Sequence, residues 1–286
     1  MDLQTFDSRR RTVRTRGGEL SYVSAGEGRT ALFIHGLGTN GYIWQNVLEQ
    51  LSGERRCIAV DFPGHGRSPA RADGEASLPA FAESIEDFCE ALGLDEIDLV
   101  TNDTGGAVGQ IFVSRHPQRI ASLVLTNCEA HDNLPNEAFR QTVNLARQGQ
   151  LAPMASRMLD DLGASRSSGR GIGANFEHPE RLSDEEIRAF LEPVAGSAAA
   201  IDHFQRLLAS LDAADLLAAE PGLRRLTAPT LLVWGTADLH FEVKWAYWLR
   251  DAIPGAREVV EIDGGKLFFP FERAAELVPH LRKHWS

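Results

Sequence analysis

The stretch Ile97-Asp98-Leu99-Val100-Thr101-Asn102-Asp103-Thr104-Gly105-Gly106 constrains the fold of this chain more than any other. An apolar run ends there in an aspartate and small residues, just before a helix-forming segment. Ile97–Thr101 reads as a short buried strand, and Ala107–His116 as a helix that Pro117 ends. A strand that turns straight into a helix over small residues lifts one side chain, here Asp103, to the helix N-terminus. Free amides and the helix dipole favour negative charge at that point. A plain helix-capping aspartate is the alternative role for the same residue.

The rest of the chain repeats the alternation of short apolar runs with helical segments, the pattern of a mostly parallel sheet covered by helices on both faces. Eight strands are expected, at Thr12–Arg16, Leu20–Ser24, Ala31–His35, Arg56–Asp61, Ile97–Thr101, Leu123–Thr126, Thr230–Trp234 and Arg257–Ile262. From residue 131 to 227 helical segments continue without a convincing β run. That stretch reads as a helical cap inserted after the sixth strand, and residues 1–130 with 228–286 as the core domain. The 286 residues, 43% of them hydrophobic, suffice for one large core carrying an insertion.

A formal net charge of −11 argues against nucleic acid and anionic membrane surfaces as partners. No apolar stretch reaches the length of a membrane span and the N-terminus lacks a signal-like apolar region, so a cytoplasmic protein is expected. Cys57, Cys89 and Cys128 lack metal-ligand spacing and are expected to be reduced. With no phosphate loop, dinucleotide fingerprint or metal cluster visible, no cofactor and no metal are expected. The expected partner is a small-molecule substrate, and the sequence leaves the oligomeric state open.

His35-Gly36-Leu37-Gly38 follows an apolar strand, so its turn faces the same end of the sheet as Asp103. The amides of Leu37 and Thr104 are expected to form a two-donor hole for an oxyanion or a substrate, with His35 beside them. Trp44, His131, His240 and Phe268 are assigned to substrate contact. Asp61-Phe62-Pro63-Gly64-His65-Gly66-Arg67-Ser68 reads as an architectural turn.

Taken together, HGLGTNGYIW, DFPGHGRS, NDTGG and WGTAD resemble the α/β-hydrolase superfamily in order and spacing, over nearly the whole chain. The resemblance implies an α/β-hydrolase fold with an inserted cap. Aspartate at the elbow is similar to haloalkane dehalogenases, haloacetate dehalogenases and epoxide hydrolases. It implies attack of Asp103 on carbon to give an ester that activated water then hydrolyses. The chain departs from that pattern at Asp263-Gly264-Gly265-Lys266-Leu267, where Lys266 stands in place of the family's histidine base. A lysine with an ordinary pKa of ~10.4 is protonated at neutral pH and cannot activate water. The expectation is therefore an Asp103–Lys266 ion pair, with Asp103 as nucleophile or base and Lys266 as acid or anion stabiliser. Asp238, after the seventh strand, and Glu129, after the sixth, are the two candidates for a third carboxylate.

The electrophilic partners of those groups are missing. No tryptophan follows Asp103, no arginine lies at the elbow, and no Tyr or Trp occurs from residue 131 to 227. A hydrolase acting on a small, largely apolar molecule is expected by resemblance. A cofactor-independent lyase, isomerase or cyclase, or a non-catalytic ligand-binding homologue, are the alternatives.

Overall fold

The computed structural model describes residues 1–167, 169 and 171–286. All eight expected strands are present: β1 Arg10–Thr15, β2 Gly18–Ala25, β3 Thr30–Ile34, β4 Arg56–Val60, β5 Ile97–Asn102, β6 Ile120–Thr126, β7 Thr230–Gly235 and β8 Ala256–Ile262. They form one sheet in the order β1-β2-β4-β3-β5-β6-β7-β8. β2 is antiparallel to both of its neighbours, and the pairings from β4 through β8 are parallel. β3, β5 and β7 are buried at every position; β3 and β7 accordingly read as nearly continuous apolar runs, while β5 also buries Asp98, Thr101 and Asn102.

Core helices are α1 Leu3–Ser8, α2 Gln45–Leu51, α3 Leu78–Leu92 and α4 Thr104–Arg115. The sequence pattern did not announce α1, which Asp2 caps by accepting from the Thr5 amide at 2.7 Å and which buries Phe6. α4 begins three residues before the expected Ala107, because Gly105 and Gly106 lie inside the helix. A Cβ on Gly105 would sit 2.4 Å from the His35 carbonyl oxygen, so the glycine serves close packing rather than flexibility.

Helices α5 Arg140–Arg147, α6 Ala152–Asp160, α7 Leu162–Arg166, α8 Asp184–Ala195 and α9 Ala198–Ser210 follow β6. They lie on loops leaving the carboxyl ends of the strands. The Asn40 amide donates to the Ala189 carbonyl at 2.7 Å, Tyr42 donates to Glu186 at 3.0 Å, and His203 Nε2 lies 3.3 Å from the Pro63 carbonyl. Phe176, Phe190, Phe268 and Phe271 pack along this seam with ring centroids 5.1–6.4 Å apart. The next helix, α10 Ala213–Leu223, packs against α4 and belongs to the core layer, although it falls inside the stretch expected to be cap. α11 Lys244–Ala252, α12 Phe269–Glu272 and α13 Ala274–His284 complete the chain.

Candidate active site

Asp103 joins β5 to α4 with φ 55° and ψ −141°, a conformation that side chains other than glycine rarely adopt. Two backbone bonds hold it there. Its amide donates to the Asn127 carbonyl at 2.8 Å, and its carbonyl accepts from the Gly106 amide at 2.7 Å. Such a turn projects the side chain away from the strand, and the residue is 8% exposed.

The Leu37 amide donates to Asp103 Oδ2 at 3.0 Å. The Thr104 amide also favours the ionised carboxyl. The two donors expected to make a hole thus converge on one oxygen-bearing group, the carboxyl of Asp103 itself. Gly36 makes this approach possible: a Cβ there would lie 2.0 Å from Asp103 Oδ2 and 2.3 Å from its Cβ.

Two further acids share the neighbourhood. Glu129 accepts from the Thr104 hydroxyl at 2.7 Å through Oε1, while its Oε2 is buried without a partner. Asp238 has both oxygens engaged, Oδ2 by the Asn127 amide at 2.6 Å and Oδ1 by the His240 backbone amide at 2.7 Å. Burial, then the charges of Glu129 and Asp238, push Asp103 well above the usual carboxylate range, against the pull of the Thr104 and Leu37 amides. Burial pushes Glu129 up to about 7 and Asp238 up to about 6, although each keeps hydrogen-bond donors that favour its charge. Buried acids in mutual repulsion do not all ionise at neutral pH, so this trio holds back at least one proton.

The expected Asp103–Lys266 ion pair is not formed. Lys266 Nζ donates to the Ala174 carbonyl, in the segment between β6 and β7, at 3.3 Å, and the charges that act on Asp103 are those of the two acids. The cause is the backbone after β8. Gly265 donates back to Ile262, and the Phe268 amide donates to the Asn175 carbonyl at 3.1 Å, which ties this turn to the insert.

Several other assigned residues lie apart from the elbow carboxyl. His35 is fully buried: its Nε2 accepts from the Phe62 amide at 3.0 Å and its Nδ1 pairs with the Gly36 carbonyl at 2.7 Å. Burial depresses its pKa to about 4, so it is a neutral brace between two loops rather than a substrate anchor. Trp44 is core, packed 5.3 Å from Phe33 of β3. His131 turns toward α10 and α11, pairing with Glu220 at 3.0 Å and stacking on Trp248 at 4.8 Å. Phe268 packs at a tilt against Phe176, ring centroids 5.1 Å apart, in the aromatic seam. His240 stays at the rim, where its backbone holds Asp238 and its Nε2 lies 3.0 Å from Asn175 Oδ1.

Asn127 escaped the sequence reading and is the hub of the site. At φ 20° it supplies the carbonyl that fixes Asp103, and its side chain both accepts from the Gly235 amide at 2.7 Å and donates to Asp238. The available signal was an asparagine directly after a strand, since asparagine tolerates positive φ and bonds neighbouring backbone. Asn102 is a second such residue, donating to Thr126 and to the Leu267 carbonyl at 3.0 Å each. Among the described residues, no group of three or more His, Cys, Asp or Glu is arranged to hold a metal, and no helix is long and apolar enough to cross a membrane. Cys57, Cys89 and Cys128 are buried free thiols.

The chain is similar to several known proteins. Mouse epoxide hydrolase 4 is 27% identical, over 82% of this chain and 67% of its own. A cis-3-alkyl-4-alkyloxetan-2-one decarboxylase of Shewanella oneidensis is 24% identical, over 96% of this chain and 87% of its own. The solved haloalkane dehalogenase DbeA of Bradyrhizobium elkani superposes with a TM-score of 0.79 at 20% identity, covering 96% of each chain. The alpha/beta hydrolase fold family matches residues 31–272, and with that sheet, elbow and glycine turn in place the chain belongs to it.

Proposed function

We propose that the chain is an enzyme that opens a carbon–heteroatom bond of a small, neutral, largely apolar molecule, with Asp103 as the attacking carboxylate. One observation carries this reading: Oδ2 of Asp103 receives the Leu37 amide at 3.0 Å, while Oδ1 accepts no hydrogen bond among the described residues. A carboxylate held in that way attacks through Oδ1. Its Oδ2 then becomes the ester carbonyl oxygen, already bonded by the Leu37 amide, a donor that stabilises an oxyanion when the ester is cleaved.

The charge of the site narrows the substrate. An anionic group would meet Asp103, Glu129 and Asp238, and among the described residues no cation pairs with Asp103 to offset them, so neutral molecules are favoured. In this reading the segment containing α5–α9 acts as a cap that excludes water during attack.

The test is intact-protein and peptide mass spectrometry after incubation with bromobutane, an alkyl epoxide and an alkyl ester. An adduct on Asp103 that is absent from Asp103→Asn supports the reading. No adduct, or one mapped elsewhere, overturns it, and a ligand-induced rise in melting temperature without an adduct points to a binding protein. The relative from Shewanella, which pairs with this chain nearly end to end, supports a second reading in which the opened substrate loses a carboxyl group. With an oxetanone substrate, release of carbon dioxide and an alkene rather than a hydroxy acid identifies that route.

A further inference from the structure

Cleaving an ester of Asp103 with water requires a group that takes a proton from that water, and the proposed function leaves this group unnamed. Lys266 is committed to the Ala174 carbonyl. His35 is locked between the Phe62 amide and the Gly36 carbonyl. The ring of His240 is held at the insert, its Nε2 3.0 Å from Asn175 Oδ1 and its Nδ1 3.4 Å from Asn136 Oδ1. Asp238 has no free oxygen, because the Asn127 amide and the His240 backbone occupy both.

Glu129 differs from each of these. Its Oε1 is fixed by the hydroxyl of Thr104, the residue that follows Asp103, and its backbone carbonyl is clamped by Gln110 at 2.7 Å. The side chain is therefore positioned at both ends, yet Oε2 is buried and bonded to nothing. An ionised carboxylate with an unpaired buried oxygen is costly, whereas a carboxylate exchanging a proton with a neighbouring water uses that oxygen. Gln110, which clamps the Glu129 carbonyl, carries a second buried acceptor without a partner in its Oε1.

Building on that reading of Asp103, we propose that Glu129 is the proton-transfer residue of this site and that Oε2 takes the proton from the hydrolytic water. The step balances. Oε2 removes one proton from water, and the oxygen attacks Cγ of the Asp103 ester. The tetrahedral oxyanion on Oδ2 is held by the Leu37 and Thr104 amides. Collapse breaks the Cγ–Oδ1 bond, so the alkoxide leaves with Oδ1 and takes the proton from Glu129; Asp103 is left as the acid with one oxygen from water, and it releases that last proton to solvent to regenerate the attacking carboxylate. Burial tunes the group for this task, since a base that titrates near 7 is effective at neutral pH.

The experiment follows the Asp103 adduct over time with bromobutane, in wild type, Glu129→Gln and Glu129→Ala, by intact mass. Proper folding of each variant is checked by its melting transition. The expected result is ester formation in all three, with clearance slowed at least about 100-fold in both variants. In addition, the wild-type clearance rate rises with pH through an inflection near neutrality that Glu129→Gln lacks. Formate restores clearance in Glu129→Ala, which keeps the test decisive if Glu129→Gln folds poorly. Clearance at the wild-type rate in Glu129→Gln, or an unchanged pH inflection, overturns the role of Glu129 and leaves Asp103 as the nucleophile. No ester in any of the three proteins overturns both.

Discussion

Replacing Glu129 by glutamine should stabilise the protein at alkaline pH, a rare outcome for a buried polar position. Burial raises Glu129 from the ordinary 4.5 to about 7, so the folded chain holds this proton more tightly than the unfolded one. Between those two values folding takes up a proton, so stability falls as pH rises and the loss is complete above about 7. At about 1.4 kcal/mol per pKa unit, the cost is about 3 kcal/mol at pH ~8, an upper figure because Asp103 and Asp238 share it. Glutamine keeps the Thr104 hydroxyl bond through its amide oxygen and cannot ionise. The variant minus wild-type difference should therefore be about 1 kcal/mol at pH ~5, where most of the unfolded-state glutamate is already ionised, and climb to about 3 kcal/mol at pH ~8. Urea unfolding across that range measures it. The wild-type curve alone is ambiguous, because burial holds His35 at about 4 and His65 at about 3. Those two groups lose stability as pH falls below the ordinary 6.5, the opposite direction, and they cancel in the difference. A difference that is flat with pH, or a variant weaker than wild type at pH ~8, refutes the reasoning.

Three more outcomes are expected. Gly36→Ala should lose more than about 2 kcal/mol in chemical denaturation and abolish Asp103 alkylation, because its Cβ would meet Asp103 Oδ2 at 2.0 Å. Asn127→Ala strips a donor from Asp238 and leaves the Gly235 amide unpaired, which costs about 2–3 kcal/mol; carboxyl-carbon NMR should show Asp238 titrating still higher than in wild type. Lys266→Met should change stability by less than about 1 kcal/mol and leave bromobutane alkylation of Asp103 within about twofold, since its one bond is to an insert carbonyl. A 100-fold loss of alkylation there would restore the ion-pair expectation.

Strand existence and the elbow were legible because both are local. β3, β5 and β7 are buried on both faces and therefore rich in apolar residues, and a strand followed by small residues and a helix admits few geometries. Helix boundaries were less legible. Gly105 and Gly106 look like a turn in isolation, and only the His35 carbonyl pressing on Gly105 explains why they continue the helix. α10 carries no mark that separates it from the insert, and its packing on α4 decides the matter.

Residue identity alone determined that an aspartate stands at the start of α4, that glycines flank its approach, and that lysine occupies the turn after β8. Direction was decided in three dimensions. Lys266 points at the insert, His131 at Trp248, and Trp44 into the sheet, while Asn127 gathers Asp103, Gly235 and Asp238. The physical reason is that backbone pattern follows from neighbours along the chain. The protonation and aim of a buried side chain depend on whichever groups distant segments bring within hydrogen-bonding reach.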